Sequence, residues 1–115
     1  MSILSDFTTE KINDVFIVTI DLVQATIEQA GELNKLLSNT IEKGWQKIII
    51  EMKEVDYMDS TFLGALIINL KKITSKGGKF ILVGLKPSVK TMVNQANLDK
   101  IFNILTSRDE ALNNI

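Results

Sequence analysis

The chain has 115 residues, with 13 Lys plus Arg against 14 Asp plus Glu, a formal net charge of −1, and neither cysteine nor histidine. Near-neutral charge argues against nucleic acid or an anionic membrane as the main partner. Without cysteine there is no disulfide, thiol nucleophile or cysteine-ligated zinc, and without histidine the commonest general base and metal ligand are missing. No catalytic residue, metal or cofactor is expected, and an enzyme is the least favoured class, kept only because Asp59, Ser60 and lysines could act together. Hydrophobic residues make up 45% of the chain, enough for a real core in one domain spanning 1–115. Residues 1–6 lack the basic and apolar regions of a signal peptide. The apolar run Phe62 to Ile68 is too short to cross a bilayer, so a cytoplasmic protein without direct membrane insertion is expected.

In chain order, Phe7 to Ile12 and Val15 to Ile20 read as strands joined by a tight turn at Asn13-Asp14. The second is nearly all β-formers and is expected to be buried on both faces. Thr26 can cap a helix reaching about Lys43, with Ile27, Ala30, Leu33, Leu37 and Ile41 at helical spacing and Gly44 ending it. Lys47 to Met52 reads as a central strand. A second helix runs from about Ser60 to Lys76 and stops at Gly77-Gly78.

Phe80 to Val83 is another buried strand. Pro87 suits the first position of a helix reaching about Ala96, with Val89, Met92, Val93 and Ala96 inward. Ile101 to Ile104 reads as a short edge strand, and Ser107 to Glu110 as a capping box opening a last helix. Strands alternating with helices predict an α/β fold: a mixed, mostly parallel sheet of four to five strands, an N-terminal antiparallel hairpin and about four helices. The strand order does not follow from these signals.

Asp59-Ser60-Thr61 marks the turn from the central strand into the second helix. A serine there places its hydroxyl beside unpaired backbone N–H groups and the positive end of the helix dipole, where a phosphate is stabilised. The plainer alternative is a helix cap, since Asp and Ser are both preferred capping residues. At about 100° per residue, Phe62, Leu63, Leu66, Leu70 and Ile73 gather on the face expected to cover the sheet. Thr61, Gly64, Ala65, Ile68 and Lys72 fall opposite, beside Ser60. An outward Ile68 among small residues forms a shallow apolar strip for a partner, unless a neighbouring helix covers it. Glu51, Glu54 and Asp56 read as solvated groups rather than a metal cluster. Lys76-Gly77-Gly78-Lys79 is a turn, lacking the spacing and the trailing Ser or Thr of a phosphate loop.

Tyr57-Met58-Asp59-Ser60-Thr61 followed by Leu63-Gly64, inside this order of elements, resembles the STAS domain of bacterial anti-sigma factor antagonists. The likeness continues through Gly77 to Val83, Lys86 to Lys90 and Leu98 to Ile104, nearly the whole chain. The resemblance implies that Ser60 is phosphorylated by a partner that is both kinase and anti-sigma factor. It implies that the unmodified protein binds this partner and frees the sigma factor, that phosphorylation cancels binding, and that a phosphatase restores it. The partner surface would comprise Asp59, Ser60, Thr61, Gly64, Ile68 and Lys72. Where the family usually has glycine after the Ser-Thr pair this chain has Phe62, and Ile20 and Val23 stand where a glycine and an aspartate are common. Those differences motivate a second reading, a STAS scaffold or accessory subunit of a signalling assembly or transporter that works without phosphorylation.

Overall fold

The structure is a computed structural model that describes residues 2, 3 and 6–115, with side chains from Asp6 onward. The signal-peptide expectation concerns residues 1–6, of which 1, 4 and 5 lie outside the described residues. The strands are β1 (Ser2–Ile3), β2 (Phe7–Ile12), β3 (Val15–Ile20), β4 (Gln24–Ala25), β5 (Lys47–Glu51), β6 (Tyr57–Met58), β7 (Lys79–Val83) and β8 (Asn103–Leu105). The helices are α1 (Ile27–Glu42), α2 (Ser60–Ser75), α3 (Pro87–Gln95) and α4 (Arg108–Asn114), with a short 3-10 turn at Leu98–Lys100.

The main sheet has the order β1-β2-β3-β5-β7-β8, one strand more than the sequence suggested, because Ser2–Ile3 pairs with β2. Strands β1, β2 and β3 are antiparallel neighbours, while β3, β5, β7 and β8 run parallel. The Asn13-Asp14 turn closes the expected hairpin, with Asn13 at φ 54 in the left-handed region that asparagine tolerates. Two further short strands, β4 and β6, form a separate parallel pair that the sequence reading did not contain.

Strand register explains why the central strands read as unbroken apolar runs. Val18, Ile50 and Leu82 are cross-strand neighbours facing one core, and Ile17, Ile49 and Ile81 are the neighbouring set facing the other. The parallel strands follow one another in sequence without a reversal, so the crossovers through α1, α2 and α3 bury their apolar sides against the same face. The opposite face is closed by α4 through Ala111, Leu112 and Ile115. Arg108 pins that helix to the sheet, donating to Glu10 Oε2 at 2.6 Å and Glu51 Oε2 at 2.8 Å. Burial alone would lower the Arg108 pKa, but the adjacent Glu51 and Glu10 carboxylates outweigh it and raise it.

Ile27 keeps helical spacing with Ala30 and Leu33 but is 66% exposed, as the first residue of α1. Three local expectations need correction. Ala96 is exposed, since α3 ends at Gln95 and the following turn lifts it away. The edge strand begins at Asn103 rather than Ile101, because the 3-10 turn holds Phe102 through Phe102 N–H donating to Leu98 O. At the last helix Glu110 N donates to Ser107 Oγ, but the Glu110 carboxylate accepts from Thr106 N rather than from Ser107 N, so the capping box is only half formed.

A buried polar network joins α1 to α2. Asn69, fully buried, donates to Asn34 Oδ1 at 2.9 Å and to Ala65 O at 2.8 Å, and accepts from Ser38 Oγ at 3.2 Å. Lys72 Nζ extends it, donating to Ser38 Oγ at 3.0 Å. Such a network fixes the register of two helices that apolar packing alone would allow to slide. Replacing Asn69 by Ala removes the partners of Asn34 and Ser38, and stability should fall by about 2 kcal/mol in urea unfolding. An unchanged midpoint would mean that apolar contacts alone set the register.

Candidate functional site

Asp59 is the N-cap of α2, in extended conformation, and its Oδ1 accepts from Phe62 N at 2.9 Å. Its Oδ2 accepts from Ile27 N at 2.8 Å. Ile27 is the first residue of α1, so one carboxylate serves the N-termini of both helices. The β4–β6 ladder makes this possible by pairing Ala25 with Met58, and Asp59 N donates to Ala25 O at 3.0 Å. Thr26 caps α1 from its own chain: Glu28 N donates to Thr26 Oγ1, and Thr26 N donates to the Gln29 side chain.

With Asp59 as cap, Ser60 takes the first helical position and is exposed. Among the described residues its hydroxyl has no hydrogen-bond partner. The cap reading of Ser60 therefore gives way to an open hydroxyl at the positive end of α2. Phe62, whose bulk stands in place of a glycine, is fully buried and points into the core. The ring leaves the outer surface of the first turn to Ser60 and Thr61.

Thr61, Gly64, Ala65 and Ile68 form one wall of a groove of about 390 Å³, and Ala30, Gly31 and Asn34 of α1 form the other. Ile68 is 50% exposed at its rim, and Ala65 is buried against α1 rather than facing outward. A second hollow, of about 540 Å³, lies on the other side of Ser60 and is lined by Tyr57, Asp59, Ser60, Leu63, Met92 and Ala96 among others. The start of α2, with Ser60 on this hollow and Thr61 on the first, thus forms a ridge between two depressions. Lys72 is twelve positions further along α2, about 18 Å of helix, and lines a different hollow with Ser38 and Glu42.

The α1 wall was missed by sequence reasoning. Ala30 stood out only as one of the apolar residues at helical spacing, and Gly31 and Asn34 gave no signal that distinguishes a groove from an ordinary outer helix face. Around the shared cap, Val23, Ile27 and Tyr57 expose large apolar surface, and Val23 O accepts from Asp56 N and Tyr57 N. Among the described residues no group of three or more acidic side chains is arranged to hold a metal ion, and no helix is long and apolar enough to cross a membrane.

The model of the STAS domain family matches residues 6–111. The chain belongs to the STAS domain family. This STAS domain is 31% identical, over 106 residues, to a candidate anti-sigma factor antagonist of Thermotoga maritima, covering 91% of this chain and 94% of that one. A crystal structure of a candidate anti-sigma factor antagonist from the same organism superposes with a TM-score of 0.86 at 31% identity, covering 95% of this chain and 93% of the other. The unphosphorylated form of the anti-sigma factor antagonist SpoIIAA shares the fold, with a TM-score of 0.74 at 14% identity over 94% of each chain. By homology this is a member of the anti-sigma factor antagonist family.

Gly31 and Gly64 floor the groove inside two helices, and a Cβ at either would meet nothing within 4 Å. A methyl group there removes the helix penalty of glycine, so Gly31→Ala and Gly64→Ala should each stabilise the fold by up to about 1 kcal/mol in urea unfolding while narrowing the groove. A loss of stability at either position would show that the two helices pack more tightly than this geometry allows.

Proposed function

We propose that this STAS domain is a cytoplasmic anti-sigma factor antagonist that binds an anti-sigma factor kinase and is switched off by phosphorylation of Ser60. The observation that carries the proposal is the exposed, unpartnered Ser60 hydroxyl at the start of α2, next in sequence to Thr61, which lines an apolar groove. In this reading the kinase covers Asp59, Ser60, Thr61, Gly64 and Ile68, and Lys72 marks the far end of the contact. A phosphatase restores the unmodified form, and neither nucleic acid nor membrane insertion enters the cycle.

The chemistry of the switch is a matter of charge. A phosphate adds about −1.5 to −2 charges and a strongly hydrated group to the ridge that the partner must cover. A close pair of unit charges interacts by about 4 kcal/mol at intermediate dielectric, whereas about 2.8 kcal/mol suffices to weaken binding a hundredfold. The fold itself accommodates the modification, because the first N–H groups of α2 and its dipole favour an anion there. One modified hydroxyl is therefore able to cancel association without unfolding the domain.

Incubation with the cognate kinase and ATP should place phosphate on Ser60, as mapped by mass spectrometry. No modification, under conditions where a related antagonist is modified, would remove the switch. Ser60→Asp should weaken kinase binding on the order of tenfold or more and Ile68→Arg further, measured by titration calorimetry. Parent-like affinity in both variants would place the interface elsewhere. A pull-down that recovers scaffold or transporter subunits and no kinase would favour a phosphorylation-independent role.

A further inference from the structure

We infer that Asp59 is a positioning residue whose carboxylate couples the charge state of Ser60 to the α1 wall of the groove; the inference rests on the reading of Ser60 as the switch. Both carboxylate oxygens are committed to backbone donors, Oδ1 to Phe62 N in its own helix and Oδ2 to Ile27 N in the neighbouring one. The bond to Phe62 lies within a single turn, where the cap geometry holds it. The bond to Ile27 spans two elements that are 32 positions apart, and α1 begins at that residue. Four residues further along α1 is Gly31, part of the groove, so the first turn of α1 leads directly into the wall that faces Thr61 and Gly64.

Ser60 follows Asp59 in the chain and shares the same set of helix N-terminal donors. A phosphate on its hydroxyl brings three acceptor oxygens and a like charge next to the carboxylate. Repulsion and competition act on whichever contact of Asp59 is least constrained by its own turn, which is the contact with Ile27. Releasing it frees the first N–H of α1 and loosens that end of the groove. Phosphorylation then acts twice, by placing charge on the ridge and by slackening one of the two walls. Asp59 takes part through its bond to Ile27, in addition to any contact with the partner.

The test uses the full chain, free of any partner, with phosphoserine installed at position 60 during translation. Amide hydrogen exchange resolved by NMR should be at least tenfold faster at Ile27 in the phosphorylated protein than in the unmodified one, with the interior amides of the sheet unchanged. Asp59→Asn should reproduce that acceleration without phosphate, because an amide keeps one acceptor for Phe62 N but turns a donor toward Ile27 N. Ile27→Pro removes the donor from the other side, at a first helical position that proline tolerates. In urea unfolding the double variant should then be no less stable than the weaker of the two single variants, since both delete one contact.

Additive losses, or an Ile27 amide indifferent to phosphoserine, would overturn the coupling. That outcome is distinct from failure of the switch: kinase binding abolished by phosphate with the Ile27 amide unmoved refutes only the coupling, whereas binding indifferent to phosphate refutes the switch.

Discussion

Two helix N-termini carry partial positive charge and unpaired N–H groups, and bringing them together is unfavourable unless an anion stands between them. Here that anion is the Asp59 carboxylate, with one oxygen on the first turn of α2 and the other on the first residue of α1. The β4–β6 ladder carries the two chain segments to the same place, and the Asp59 N–H bond to Ala25 O locks the join. The placement of Ser60 at the first helical position, and of Ile27 beside it, follows from this one contact.

The groove itself is a consequence of sheet topology. Consecutive parallel strands in sequential order put α1 and α2 side by side on one face. Small residues let the two helices leave a shallow channel near their N-termini, while Asn69, Asn34 and Ser38 fix their relation further down. The groove and the core share residues, since Ala30 and Ala65 line the one and belong to the other, while the opposite face is closed by α4, with Arg108 bridging Glu10 and Glu51.

Phe62 shows how a bulky residue can stand two positions from an exposed serine without covering it. Its ring is fully buried while its N–H donates to Asp59, so it contributes to the core and to the cap at once. The outer surface of that first turn is then made of two hydroxyl-bearing residues and a glycine one turn on.

The sequence by itself determined the kinds of element and their order: apolar β-formers at 15–20, 47–52 and 80–83, helical spacing between them, and glycine or proline at their ends. It also located Ser60 at a helix start, because strand-to-helix transitions carry local signatures in caps and periodicity. The six-strand order, the β4–β6 pair and the α1 wall of the groove were decided only by tertiary structure. Each depends on contacts between separate elements, most of them far apart in sequence, and periodicity within one element carries no trace of them. Ile27 illustrates the division: its spacing matches the buried side of α1, yet its place at the very end of the helix leaves the side chain in solvent and commits its amide to Asp59.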